Sequence, residues 1–305
     1  MKHVFPGICL LLLLATAQAH AGTPIQAQAR PLDPRGHVEI ANIKGSISVQ
    51  VWDRPEVKIE GELGDGVEKL EVEGDRGHLK IRVKYPNRGG GMGFLIGGDN
   101  SEPSHLRLTV PLRADVSIDS VAADVDVVGL ASDELSIDSV SGDVKVAAAP
   151  LEASIQSVSG DLNLTLNRAN VHAESVSGDI RLGGRLGNEL TVETVSGEID
   201  LQVLDTQIRK LSGSSVSGDM RIGTQLANDA RVHLESVSGQ IDLRLPRALS
   251  ATVKAESFSG ELKATSANVE HSRHGPGSSL EHRYGKGEGD VSIETFSGDV
   301  DLTLD

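Results

Sequence analysis

Serine and acidic residues recur together in this sequence, in a five-residue unit whose commonest form is Ser-Val-Ser-Gly-Asp. Serine can act as a nucleophile, and gathered carboxylates can act as acid and base, bind a metal ion or attract a cationic partner. A weaker first copy is Ser120–Asp124. The eight clear copies are Ser139–Asp143, Ser157–Asp161, Ser175–Asp179, Thr194–Glu198, Ser215–Asp219, Ser236–Gln240, Ser257–Glu261 and Thr295–Asp299.

No catalytic signature accompanies these residues. The serines occupy the same place in every copy, and the nucleophile-elbow pattern Gly-x-Ser-x-Gly does not occur. A residue type that is repeated at one position of a repeat normally serves the architecture. We therefore predict a protein that is not an enzyme, with no catalytic, cofactor-binding or metal-binding residues and no cofactor.

The acidic residues form two rows that flank the repeated unit. Six of the eight residues before the Ser/Thr position are acidic, and seven of the eight after the glycine. We interpret the rows as a solvated face that resists aggregation, or as a polyanionic edge that collects Ca²⁺ or a basic partner. The Gly-Gly-x-Gly-x-Asp pattern of calcium β-rolls is absent. The pre-serine row is Asp138, Gln156, Glu174, Glu193, Ser214, Glu235, Glu256 and Glu294, and the post-glycine row is Asp143, Asp161, Asp179, Glu198, Asp219, Gln240, Glu261 and Asp299.

The spacing of the units predicts the elements that carry these rows. Their glycines, from Gly142 to Gly260, are 18, 18, 19, 21, 21 and 21 residues apart, and a last step of 38 residues indicates a lost copy. A period near 20 is typical of a solenoid. Strict alternation before and after each unit indicates two short strands around a corner. We predict an all-β fold: a parallel β-solenoid, or β-helix, of about 19-residue two-strand coils, right-handed.

Apolar residues at alternate positions predict the core of each coil. Because valine is apolar, we also expect the valine of the corner unit to point inward, with Val176 and Val195 in one buried ladder. Phe258 and Phe296 replace this valine in two copies and are assigned to the core. The alternating residues expected to point inward are Leu135, Ile137, Ser139, Val144, Val146, Leu162, Leu164, Leu166, Ile199, Leu201, Val203, Ile241, Leu243 and Leu245.

The chain divides into a leader, an irregular part and a regular part. Residues 1–21 are typical of a signal peptide: Lys2 precedes an apolar run, and Ala19-His20-Ala21 is a cleavage site. We expect a linker over 22–35, irregular capping coils over 36–115 with a Gly-rich loop (86–104), and regular repeats over 116–305 with an insertion (271–289). The insertion holds His271, His274 and His282, which we interpret as solvated rather than metal-binding.

Composition limits the partners and the compartment. Of the 305 residues, 29 are Lys or Arg and 44 are Asp or Glu, so the net charge is −15, and nucleic acid is excluded as a partner. No segment has the roughly 20 apolar residues that cross a bilayer. The single cysteine, Cys9, lies in the leader, so the mature chain would form no disulfides. We expect export to the periplasm or the cell surface.

The pattern as a whole resembles a bacterial family of exported putative adhesins, a β-solenoid domain of unknown function. The matching residues are the eight corner units, Asn42–Ser46, and Trp52–Val57, and the resemblance covers residues 36–305. It implies an adhesin-like structural or interaction module of the cell envelope, and it transfers no catalytic residue. The expected partner is an envelope protein or a polysaccharide.

Three functions compete at this point. The first is the non-catalytic envelope module, and the second is a Ca²⁺-binding acidic surface. The third is a carbohydrate-active solenoid enzyme, which aromatic residues gathered with carboxylates in a groove would favour.

At the end of the array, Val300–Asp305 follows the last unit with nothing to cover it. We therefore expect the C-terminal coil to self-associate or to accept a partner's strand, with fraying of residues 300–305 as the alternative.

Overall fold

Alternating apolar residues form strands throughout the computed structural model, which describes residues 22–86, 101–271 and 277–305. The expected leader, the Gly-rich loop from 87 to 100, and His274 lie outside the described residues. The described strands are β1 (Thr23–Pro31), β2 (His37–Trp52), β3 (Glu56–Leu63), β4 (Lys69–Gly74), β5 (His78–Lys84), β6 (Ser104–Pro111), β7 (Asp115–Val128), β8 (Glu134–Ser139), β9 (Val144–Ala148), β10 (Glu152–Ser157), β11 (Leu162–Leu166), β12 (Asn170–Ser175), β13 (Ile180–Gly184), β14 (Glu189–Thr194), β15 (Ile199–Ser215), β16 (Met220–Ser236), β17 (Ile241–Leu245), β18 (Ala251–Ser257), β19 (Leu262–Ala264), β20 (Glu270–His271), β21 (Ser278–Arg283), β22 (Gly289–Thr295) and β23 (Val300–Leu304).

Each regular coil consists of one strand, a corner and a second strand. In the coil of β10 and β11, the first strand pairs in parallel with β8 and β12, and the second pairs in parallel with β9 and β13. The coils therefore stack into two ladders of strands, and the fold is an all-β solenoid. The right-handed sense of the coil stays a prediction.

The inward side chains of both ladders form one continuous hydrophobic core. The prediction from alternation is confirmed for Leu135, Ile137, Val144 and Val146, and for the equivalent residues of the other coils, all of which are buried. Leucine, isoleucine and valine fill this core because two close ladders leave little width for aromatic rings. The small Ser139 is buried at the inner end of its strand, as expected.

At the N-terminal end, the order of coils in space differs from their order in the chain. Strand β2 supplies both strands of one coil, and it lies between the later strand β7 on one side and β5 with β6 on the other. Antiparallel strands then cover the outermost coil: β4 pairs with β5, β3 pairs with β6, and β1 pairs with β3. The irregular strands before residue 116 thus close this end of the stack.

At the C-terminal end, too, the order of coils in space differs from their order in the chain. This order corrects the expectation of a bare edge. Strand β22 lies between β16 and β18, and β23 lies between β17 and β19. The C-terminal coil is therefore internal, and Val300–Leu304 is not an open edge. The outermost coil is the earlier one, β18 and β19. On the β18 side it is covered by antiparallel β21 from the insertion, so this segment is a cap where the sequence suggested a lost copy.

The corner glycines allow neighbouring coils to approach each other closely. A Cβ added at Gly178 would overlap the carbonyl oxygen of Gly160, and the same holds from coil to coil along the stack. None of the corner glycines has a positive φ. The corner glycines thus serve a close backbone approach and not a left-handed turn.

The stability of the stack should therefore depend on the absence of this Cβ. We expect Gly178→Ala to lower the free energy of unfolding by about 1–3 kcal/mol, because the backbone of the next coil must move. Gly183→Ala is the matched control, since its Cβ would meet its nearest neighbour, the oxygen of Gln202, only at 3.8 Å. Thermal unfolding of both variants checks this, and equal melting temperatures would contradict it.

Candidate functional site

The first Ser or Thr of the corner unit closes the turn from inside. The Oγ of Ser175 accepts a hydrogen bond from the backbone N–H of Gly178 at 2.9 Å. From Ser157 to Thr295 the same bond recurs at 2.7 to 3.0 Å. Because each of these side chains is buried with its oxygen already engaged in the turn, none is placed as a nucleophile.

The second serine and the post-glycine acid join one coil to the next. Ser177 Oγ donates a hydrogen bond to the carbonyl oxygen of Val158 at 3.1 Å. The backbone N–H of Asp179 donates to Oδ1 of Asp161 at 3.0 Å, and that of Asp161 donates to Asp143 at 3.1 Å. The acidic residue therefore satisfies a backbone donor that the corner would otherwise leave unpaired.

Basic residues neutralise much of the post-glycine row. Arg181 lies 2.8 Å from Asp179 and 3.5 Å from Asp161, and Lys263 lies 3.1 Å from Glu261. Arg221 forms ion pairs with Glu198, Asp219 and Asp242. With its oxygens bound to backbone and to cations, this row is part of the scaffold.

The corner valine points into solvent, so its assignment to the core was wrong. Val176 is 47% exposed and Val195 46%. Phe258 and Phe296, also assigned to the core, are 56% and 58% exposed. In spatial order this corner ladder is Val121, Val140, Val158, Val176, Val195, Val216, Val237, Phe296 and Phe258.

The corner ladder holds most of the exposed apolar surface of the described residues. Nine of the thirteen large hydrophobic side chains that are exposed there belong to it. Since strands stack about 4.8 Å apart, the ladder is roughly 40 Å long. Continuous exposed apolar strips of this kind commonly mark interaction sites.

A groove runs beside the corner ladder, with the pre-serine row as its other wall. Its first part has a volume of about 810 Å³ and extends from Asn42 and Arg82 to Val216. Its second part, of about 870 Å³, continues from Val216 to Glu270 and His271. We call the two parts together the corner groove.

The wall of the corner groove carries a negative charge that is little neutralised. Strand register places Glu174 beside Glu193, and Glu294 between Glu235 and Glu256. Among the described residues, the ion-pair partners of Glu174 and Glu235 are histidines, His172 at 2.7 Å and His233 at 2.6 Å. Among the described residues that line the groove, Arg82 is the only Lys or Arg.

Asp119 continues the pre-serine row by one coil, beside Asp138. Desolvation by partial burial raises the pKa of this carboxyl above its ordinary value, and the negative charges of Asp138 and Glu39 raise it further. The ionised Asp119 carboxylate therefore destabilises the folded state. A positively charged group placed beside it would reduce that destabilisation.

The last two coils carry a stacked aromatic pair. The rings of Phe258 and Phe296 are 4.9 Å apart between centroids, with 8° between their planes. Both rings line the groove together with Glu235, Glu256 and Glu294. The two residues are 38 apart in sequence and meet because the C-terminal coil lies next to β18.

Where residues are described, no three His, Cys, Asp or Glu side chains come together to hold a metal ion. His282 contacts the ring of Tyr284 at 4.5 Å, and the Tyr284 hydroxyl donates to the oxygen of Thr265. Across the described ranges, no helix is long and apolar enough to cross a membrane.

The described fold is an all-β solenoid, and the corner groove runs along its outside. The chain belongs to the Toastrack DUF4097 family, whose model matches residues 35–232 and 225–303. Comparison with curated proteins found no match.

Several solved structures have a weak overall likeness to this chain, and three of them are proteins from Parabacteroides or Clostridium. A putative lipid binding protein from Parabacteroides distasonis is 11% identical over 92% of this chain and 98% of its own, with a TM-score of 0.49. A putative adhesin from Parabacteroides merdae is 12% identical over 92% and 96%, at 0.36. A putative cell adhesion protein from Clostridium sporogenes is 12% identical over 93% and 100%, at 0.26. At these TM-scores the likenesses carry no conclusion.

Substitution by asparagine should separate the exposed ladder from the core. We expect Val176→Asn to change stability by less than about 0.5 kcal/mol, because the side chain is already half in water. Val192→Asn is the matched control: Val192 is fully buried on β14, in the coil that follows Val176, and an unpaired amide there should cost about 3 kcal/mol. Similar melting temperatures for the two variants would indicate that Val176 is buried and would contradict its exposed position.

The raised pKa of Asp119 predicts a pH dependence with a definite sign. A carboxyl whose pKa is higher in the folded state destabilises the fold when it is ionised. We expect Asp119→Asn to raise the melting temperature at neutral pH. The gain should shrink as the pH falls through the raised pKa, and it should vanish below the ordinary value of 3.8. A gain that is equal at pH 7 and pH 3 would contradict this origin.

Proposed function

We propose that this protein is a non-catalytic, exported, adhesin-like interaction module of the cell envelope, and that the corner groove is its binding surface. The observation that carries the proposal is the corner ladder. Hydrogen bonds or close packing explain the other four residues of the corner unit, whereas the valine is exposed. An apolar side chain kept in water on coil after coil is best explained by a surface that is covered in use.

Charge selects the kind of partner. The groove pairs an apolar ladder with a row of carboxylates, so it complements a protein segment that presents both apolar and basic side chains. A second copy of this chain is a poor occupant, because two acidic walls would meet in a face-to-face dimer. The expected partner is therefore an envelope protein with a basic, amphipathic segment.

The carbohydrate-active alternative has one observation in its favour, the two phenylalanines beside carboxylates. Glycosidases, however, need two carboxyl groups in different environments, one as acid and one as base or nucleophile. Glu235, Glu294 and Glu256 occupy equivalent positions in register along one wall. Equivalent positions do not separate the two roles, so we assign this end of the groove to binding.

Retention on isolated cell envelopes tests the proposal. Protein purified after export of the full-length chain is mixed with envelopes from cells that lack it, and the sedimented fraction is measured. We expect Val176→Asn with Val195→Asn to reduce retention at least fivefold, because the middle of the apolar ladder is removed. The control is Leu151→Asn with Leu204→Asn, two exposed leucines at 52% and 57% that do not line the groove.

Equal retention of the groove variant and the wild type would overturn the groove as the binding surface. Export is tested separately, by sequencing the N-terminus of the secreted or periplasmic protein. We expect it to begin at Gly22, and recovery of the full-length chain only from the cytoplasm would contradict an envelope role.

A further inference from the structure

The C-terminal end of the corner groove has a chemistry that the rest of the groove lacks. Phenylalanine replaces valine in only two corner units, and the interchange of the last coils brings these two together. Together with Leu204, which is 57% exposed, Phe258 at 56% and Phe296 at 58% are the most exposed large hydrophobic residues among those described. Because the two rings are exposed, their stacking adds nothing to the hydrophobic core. We attribute the arrangement to the binding of a ligand.

Carboxylates line this aromatic end, and the described residues around it include no Lys or Arg. Glu294 lies beside both Glu235 and Glu256 in strand register. Lys254, two residues before Glu256, is instead 3.8 Å from Glu281 on the neighbouring strand. Glu270 adds a further carboxyl group at the mouth. The described residues that line this end thus combine aromatic surface with negative charge, and none of them is a Lys or Arg.

We propose that Phe258, Phe296, Glu256 and Glu294 form a subsite for a Lys or Arg side chain of the protein segment that lies along the corner groove. This proposal rests on the proposed function of the groove. A cation is attracted to the electron-rich face of an aromatic ring, and more strongly where carboxylates lie close by. Arginine fits best, because its planar guanidinium stacks on rings and pairs with carboxylates.

A neutral sugar is the competing ligand for such a surface. A sugar and a cation would both need a ring face that the nearly parallel stack leaves uncovered, so the rings alone do not separate them. The row of carboxylates is a stronger attraction for a cation than for a neutral hydroxyl-bearing ring. The carboxylates therefore favour the cation.

The natural partner is unidentified, so the test uses synthetic peptides. Three fluorescein-labelled peptides alternate leucine with arginine, with glutamine or with glutamate, and their binding to the purified protein is followed by fluorescence anisotropy. We expect the arginine peptide to bind at least tenfold more tightly than the other two at low salt, and to lose this preference at high salt. Equal binding of the arginine and glutamine peptides would overturn the cation assignment.

Two double variants locate the subsite. Phe258→Val with Phe296→Val restores the residue that other corners carry, so folding should be preserved. We expect it to weaken binding of the arginine peptide about tenfold. Glu256→Gln with Glu294→Gln should weaken it similarly and reduce its salt dependence. The matched charge control is Glu152→Gln with Glu189→Gln, two exposed carboxylates at the other end of equivalent strands, which should leave binding unchanged.

The outcomes separate this subsite from the groove itself. Loss of binding in the valine substitutions and in the Glu256/Glu294 variant, but not in the control, supports the subsite. If only Val176→Asn with Val195→Asn weakens binding, the groove functions and the subsite is wrong. If the protein binds a neutral oligosaccharide such as cellohexaose, and this binding alone is lost on changing the two phenylalanines, the aromatic pair serves a sugar and the cation proposal fails.

Discussion

The close contact between corner backbones is the constraint on which the rest of the structure depends. Each corner glycine lies so near a carbonyl oxygen in the corner of the neighbouring coil that no side chain fits between them. At this distance the neighbouring N–H and C=O groups need partners, and the corner supplies them from serine hydroxyls and aspartate oxygens. The repeated unit is therefore a device for joining coils, and its polar residues are occupied by that task.

This constraint also explains why the function must be sought at the one residue that it leaves free. The serines and acids of the corner look like the chemical groups of the molecule, yet they are bound to backbone or to cations. The valine makes no comparable contribution to the fold and projects into water. The pre-serine acids likewise bear little on the stacking, and they form the opposite wall of the groove. The function proposed for this solenoid thus rests on side chains that the architecture does not use.

Alternation predicted the strands and their inward residues because a strand fixes the direction of each side chain at every second position. The same alternation also applies to the residue that follows the strand. Ile137 and Ser139 point inward, so the next residue, the corner valine Val140, points outward. The wrong assignment came from treating an apolar residue as a core residue. The order of coils at the two ends could not be predicted in this way, because equivalent coils pair equally well and no local signal states which neighbour is chosen.

The interchange of coils at the ends connects stability to the candidate site. A regular stack would end in an open edge of unpaired strand, which invites aggregation. Here the outermost coils are covered by antiparallel strands, β4 and β3 at one end and β21 at the other. For β21 to cover β18, the C-terminal coil must lie on the inner side of β18, between it and β16. That placement brings Phe296 against Phe258, so the arrangement that closes the stack also creates the aromatic end of the groove.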